Sequence, residues 1–180
     1  MKKKDWHIGP ECFIDTNLTE FLLNSPGVNH KKGCNEVARC MKETNLKNQF
    51  SIGIIDNDKR KPSYVTEFTE IAHTKHISLH KHRERPHYLV MISPAMDRFI
   101  LDCSAELDLH LEDYDLPTKL EEFKKVTKDV NAKKDSRFKA LFRVLIKAEE
   151  MAKLYSALNY LNENQYRSDT AELQKIFENK

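Results

Sequence analysis

Apolar positions along this chain fall into two patterns. Short unbroken runs alternate with stripes spaced three and four residues apart. The run Phe50-Ser51-Ile52-Gly53-Ile54-Ile55 has no helical period and ends in the polar cluster Asp56-Asn57-Asp58-Lys59-Arg60. It predicts a strand buried on both faces of a sheet. Glu11-Cys12-Phe13-Ile14 predicts a shorter strand, and Leu18, Phe21 and Leu22 then mark a helix from Leu18 to Asn24. Val37, Cys40 and Met41 share one face of a helix expected from Gly33 to Lys42. Val65, Phe68, Ile71 and Ala72 do the same from Tyr64 to His73. Ile77–His82 and His87–Ile92 read as strands joined by Arg83-Glu84-Arg85-Pro86, a link that allows a hairpin but no parallel crossover. Pro94 opens a helix whose inward face is Met96, Phe99, Ile100 and Cys103.

The pattern changes after the acidic, irregular stretch from Asp108 to Pro117. From Thr118 on, the periodicity is helical throughout. Leu120, Phe123 and Val126 mark one helix. A long one runs from Phe138 through Leu145 and Ala148 to Leu161, and a last one from Thr170 to Phe177. The expected fold is α/β: a small, mostly parallel sheet flanked by helices over residues 1–115, with an all-helical extension packed on it over residues 116–180. A 65-residue helical tail has little sheet to cover, so part of its apolar surface is a candidate face for a homodimer or a protein partner.

Composition changes this picture little. Of 180 residues, 39% are hydrophobic and 32% charged, enough for one core under a highly charged surface. Thirty basic and 28 acidic residues leave a net charge of +2, so a polyanion would have to be met by local clusters. Cys12, Cys34, Cys40 and Cys103 form no CxxC pair and read as free thiols of a reducing compartment. The basic start Met1-Lys2-Lys3-Lys4 leads into no apolar segment, so a cytoplasmic protein without a membrane span is expected.

The chemistry lies in carboxylates at strand ends. Asp56 and Asp58 sit two apart at the close of the central strand, and so face one side. Their bland alternative is a turn, which Asp-Asn-Asp favours through side chain to backbone bonds. Asp15 follows the first predicted strand. If those strands are parallel neighbours, Asp15, Asp56 and Asp58 converge, and three ionised acids at one edge need a cation. All-oxygen donors suit Mg²⁺, with Mn²⁺ as its substitute. Lys59 and Arg60 follow directly and are candidates to hold a phosphate, with Lys31 and Lys32 extending the patch. His73, His76, His80, His82 and His87 cluster around the hairpin. They suggest a zinc-compatible pair, His80 and His82; a partly basic hairpin with Lys75, Lys81, Arg83 and Arg85 as a candidate phosphate contact; or a solvated edge strand kept charged. No phosphate-loop or dinucleotide fingerprint is present.

The run Cys12-Phe13-Ile14-Asp15 followed later by Ile54-Ile55-Asp56-Asn57-Asp58 resembles the Toprim fold family, in particular the nucleases of the overcoming-lysogenization-defect group. That family carries an acid, usually glutamate, at the end of its first strand and a D-x-D at the end of a later one. The resemblance covers the first half of the chain. It implies Mg²⁺ held by Asp15, Asp56 and Asp58, with Asp97 as a further acid at the start of the helix after Pro94. For Asp97 the alternative is an ordinary first-turn acid favoured by the helix dipole. Glu20, one turn beyond Asp15, is the alternative for acid–base work, and Glu11, read as starting the strand, ranks behind it. Asp102 reads as solvated. Asp15-Thr16-Asn17 is also similar to the opening motif of PIN-domain nucleases. Two functions follow as expectations: an Mg²⁺-dependent phosphodiester-cleaving enzyme acting on nucleic acid, or a non-catalytic Toprim-like module within a larger defence or processing complex.

Overall fold

The computed structural model describes residues 5–58 and 60–179, and Lys59 lies outside the described residues. Five strands form one sheet in the order β1-β2-β5-β4-β3. They are β1 (Ile8–Pro10), β2 (Ser51–Asp56), β3 (Phe68–His73), β4 (Ile77–His82) and β5 (His87–Ile92). β1, β2 and β5 run parallel, while β4 pairs antiparallel with β5 and β3 with β4. The sheet is therefore mixed, two parallel pairings and two antiparallel, rather than mostly parallel. The antiparallel half begins at the expected hairpin.

The helices are α1 (Phe13–Leu22), α2 (Cys34–Glu43), α3 (Met96–Glu106), α4 (Leu120–Thr127), α5 (Ser136–Leu145), α6 (Glu149–Asn164) and α7 (Thr170–Glu178). The strands sort them by alternation of side chains. Ile52 and Ile54 of β2, with Tyr88, Val90 and Ile92 of β5, join one large cluster with α1, α3 and all of α4–α7. Ile55, Leu89 and Met91 face the other way, into a smaller cluster with Val37, Ala38 and Met41 of α2 and with Tyr64. α2 lies very close to the sheet at Gly53, where a methyl group would stand 2.7 Å from both Val37 Cγ1 and Leu89 Cδ2. Glycine is there because the helix and β5 leave no room for a side chain.

Between α1 and α2 the chain turns around the outer edge of β1. Asn29 N donates to Ile8 O at 2.8 Å, Lys31 N to Pro10 O at 2.9 Å and Gly33 N to Glu11 O at 3.1 Å. This segment satisfies carbonyls that an edge strand would otherwise expose. At the opposite edge, the register of β3 shifts between Glu70 and Ala72, and Gln174 Nε2 of α7 donates to Ile71 O at 3.0 Å.

Four local expectations are corrected. Glu11–Ile14 is not a strand: β1 ends at Pro10, and Phe13 already begins α1. Tyr64–His73 is not a helix but a 3₁₀ turn (Ser63–Glu67) followed by β3. The shift at Glu70/Ala72 adds a residue and gives an edge strand apolar spacings of three and four. α3 begins at Met96 rather than Pro94. The long C-terminal helix is two, α5 and α6, with the break at Ile146–Ala148. Residues on both sides of position 115, from Ile8 to Phe177, share the large cluster, so the helical tail and the sheet have a common core. Asn17, buried in α1, donates to Ala132 O at 2.7 Å and to Asp135 O at 3.1 Å, tying the tail to the first helix.

Candidate functional site

β1 stops at Pro10, so Glu11 emerges at the carboxyl end of a parallel strand, beside the end of β2. Glu11 N donates to Ile54 O at 2.9 Å, and Glu11 Oε2 accepts from Asp56 N at 2.9 Å. Asp56 closes β2, and its Oδ1 accepts from Met96 N at 2.9 Å, at the start of α3. One carboxylate thus holds the backbone of the next, and that one caps a helix. Asn57 N donates to Ile92 O at 2.8 Å and so fixes the end of β2 against β5.

Asp15 reaches this group from the first turn of α1, not from a strand end as expected. Its Oδ2 accepts from Cys12 N at 3.1 Å, while Oδ1 is buried without a hydrogen-bond partner. Burial, the Asp56 charge and the Glu11 charge hold the Asp15 carboxyl well above its ordinary range. Burial raises Asp56 to about 7; its bond from Met96 N works against this, and the charges of Glu11, Asp58 and Asp97 add to it. The acids are close enough to repel one another, and that repulsion adds to burial in raising both Asp15 and Asp56. The Cys12 thiol is also pushed well above its ordinary range, by burial and by Asp15.

Asp56 and Asp58 open onto a cleft of about 840 Å³, whose lining includes Asp97, Asp102, His76 and the cations Lys75, Arg98, Lys124 and Lys128. Asp58 is exposed on its rim. Asp97 is buried in the first turn of α3, and Thr127 Oγ1 donates to its Oδ1 at 2.6 Å, which joins α3 to α4. The expected acids Asp56, Asp58 and Asp97 therefore share one cleft, with Asp15 buried behind it.

Two other candidates lie apart from this cleft. Glu20 lies on the part of α1 that faces the tail. Burial raises its carboxyl, and Lys133, Lys139 and Lys134 partly offset this. Arg60 is exposed and is not among the residues lining the cleft. The cations that do line it come from the turn before β4, from α3 and from α4. Only topology brings these to the acids, although the i,i+4 spacing of Lys124 and Lys128 already put both on one helix face.

Asp102, expected to be simply solvated, is half-buried and paired. His76 is buried in the turn before β4; its Nε2 lies 2.9 Å from Asp102 Oδ2, and its Nδ1 is hydrogen-bonded to Glu150 Oε2 of α6. Asp102 Oδ1 lies 2.9 Å from Arg98 Nε, and Lys75 Nζ is 3.9 Å from Oδ2. Of the other histidines, His73 is exposed on edge strand β3, whereas His82 and His87 are not. His82 is buried, and its Nδ1 accepts from the amides of Glu84 and Arg85, each at 3.0 Å. His87, also buried, bonds the Tyr64 hydroxyl at 2.5 Å through Nδ1 and Leu46 O at 2.9 Å through Nε2.

The donor chemistry at the strand ends fits a hard divalent cation: carboxylate oxygens only, mutual repulsion, and one buried oxygen, Asp15 Oδ1, without a partner. Among the described residues, no group of three or more His, Cys, Asp or Glu stands in ligating geometry. The acids thus provide the right atoms but no closed cage, and the candidate zinc pair at His80 and His82 acquires no third ligand. No helix among the described residues is long and apolar enough to cross a membrane. Compared with known protein families, curated proteins and solved structures, the chain finds no match in any of the three.

Proposed function

We propose that this chain is a Toprim-like, Mg²⁺-dependent protein that cleaves phosphodiesters in nucleic acid. The observation that carries the reading is a cleft of about 840 Å³ whose acids, Asp56 and Asp58, face Lys75, Arg98, Lys124 and Lys128. A purely acidic cleft would repel a phosphate; cations on its walls hold one against the acids. Glu11, Asp15, Asp56 and Asp58 would hold the ion. Glu11 takes the position that the resemblance assigned to Asp15, a glutamate directly after the first strand. When bound, Mg²⁺ or Mn²⁺ supplies Lewis acidity at a phosphoryl oxygen and a water of lowered pKa. The chain's own residues exclude water from behind the site, orient the substrate through the wall cations, and lock Asp56 against α3 through Met96 N.

A second reading has its own support: with no three ligands in ligating geometry among the described residues and Asp15 fully buried, the same residues suit a non-catalytic Toprim-like module that binds nucleic acid or a partner protein. Incubating labelled single- and double-stranded DNA and RNA with Mg²⁺ or Mn²⁺ separates the two. The enzyme reading expects metal-dependent cleavage that disappears in Asp56→Ala and Asp58→Ala, and an Mg²⁺-induced rise in melting temperature that Asp56→Ala removes. Metal-independent cleavage, or an equal Mg²⁺ response in Asp56→Ala, would defeat it. Absence of cleavage with both ions leaves the binding module.

A further inference from the structure

The carboxylate–imidazole–carboxylate chain beside the acid cleft has no part in the reading above. It crosses three elements. Glu150 of α6 accepts from His76 N at 3.2 Å through Oε1 and bonds the ring Nδ1 through Oε2. The ring's other nitrogen meets Asp102 of α3 at 2.9 Å, and Asp102 meets Arg98, one turn earlier, at 2.9 Å. His76 and Glu150 are largely withdrawn from water, with side chains 9% and 15% exposed, whereas that of Arg98 is 52% exposed. The order along the chain is therefore from inside to outside, and it ends on a guanidinium in the wall of the cleft that holds Asp56 and Asp58. Asp102 forms an ion pair with Arg98 at its Nε, and the Arg98 side chain is otherwise half-exposed in the cleft wall. A guanidinium paired with a carboxylate on one side keeps further N–H groups, and two of them as a fork match two oxygens of one phosphate.

We propose that Arg98 is the phosphate-binding residue of the cleft, and that Glu150 and His76 act through Asp102 as the positioning residues that aim it. This rests on the phosphodiester reading and names the group that receives the substrate's anion. It also gives the helical tail a role in the site, because Glu150 belongs to α6. An exposed arginine on a helix ordinarily loses side-chain entropy when it binds. Here the ion pair with Asp102 already restrains the side chain, and Asp102 is held in turn by His76, which Glu150 bonds at the backbone N and at ring Nδ1.

The test uses the full chain and a fluorescein-labelled, phosphorothioate-linked single-stranded DNA, with binding read by anisotropy in Mg²⁺. Losing a charge-assisted contact predicts that Arg98→Ala weakens binding roughly 10-fold or more, with partial recovery in Arg98→Lys, which keeps the charge but not the fork. Glu150→Gln keeps the shape and one acceptor but loses the charge. It is expected to weaken binding about threefold in the wild-type background and not at all in Arg98→Ala, the non-additivity of residues acting in series. A purely structural role for Glu150 would give the same loss in both backgrounds and would overturn the positioning claim. Wild-type affinity in Arg98→Ala, or no binding by the wild type, overturns the whole inference. Cleavage of the unmodified oligonucleotide is scored separately. The expected binding pattern without cleavage keeps Arg98 as the anion site and removes the nuclease reading.

Discussion

Replacing Asp56 by asparagine isolates the repulsion at the strand ends. Asparagine keeps the shape and the oxygen that accepts from Met96 N at 2.9 Å, and replaces the other oxygen and the charge by a neutral NH2. In the folded chain the Asp56 carboxyl titrates at about 7 against an ordinary 3.8. The folded protein therefore binds the proton more tightly than the unfolded chain does, and wild-type stability must fall as pH rises between those two values. The difference of about 3 pH units corresponds to about 4 kcal/mol, at about 1.4 kcal/mol each, once the folded group is fully ionised. An asparagine side chain cannot ionise, so the variant lacks this contribution to the loss, while the raised Asp15 still titrates in both proteins. The gain in unfolding free energy from Asp56→Asn should thus be under about 1 kcal/mol at pH 4, about 2 at pH 5, and about 4 with a plateau above pH 7. Urea denaturation of both proteins in EDTA at several pH values from about 4 to 8.5 measures it. A difference that does not change with pH, or an asparagine variant less stable than wild type at the alkaline end, would refute the reasoning.

Gly53→Ala places a methyl group 2.7 Å from Val37 and Leu89, so it should cost about 1–3 kcal/mol, read as a lowered urea midpoint. Thr127→Val removes the hydroxyl that donates to buried Asp97 at 2.6 Å and should cost about 1.5–3 kcal/mol, while Thr127→Ser should recover most of it. Truncation after Pro117 removes Phe123, Phe138, Leu141 and Phe142 from the common core and should leave a fragment that aggregates on size exclusion. A soluble, cooperatively unfolding fragment would show the tail to be dispensable for the fold.

The elements that carried a long or unambiguous pattern were legible. The run into Asp56 is β2, the stripe of Val37 and Met41 is on α2, and the short link at Arg83–Pro86 makes the hairpin. β1 was not legible, because a strand of three residues containing Gly9 and Pro10 shows neither alternation nor β-propensity. The apolar Cys12-Phe13-Ile14 then took its place, although Asp15, three residues after Cys12, is the spacing of a first-turn acid returning to its own cap. That single displacement moved the expected strand-end acid from Glu11 to Asp15. The break between α5 and α6 carries no Gly or Pro, but Glu149 and Glu150 after Lys147 already had the charge order of a helix start. The wall cations could not be read from any local pattern. Arg98 and Lys75 meet at Asp102 because α3 lies beside the turn before β4, and Lys128 joins them because the tail packs α4 on α3.

The segment wrapped around β1 has a consequence for how this molecule can associate. Three amides, from Asn29, Lys31 and Gly33, already occupy the outward carbonyls of β1 and of Glu11. At the far edge, the extra residue near Ile71 breaks the regular ladder, and α7 takes one of its carbonyls. A visiting peptide or a second copy therefore finds no continuous main-chain template on either flank. Strand addition, the simplest route to both peptide capture and runaway stacking, is closed to this sheet. Any assembly must be built from side-chain surfaces, and its specificity would be written in the helices.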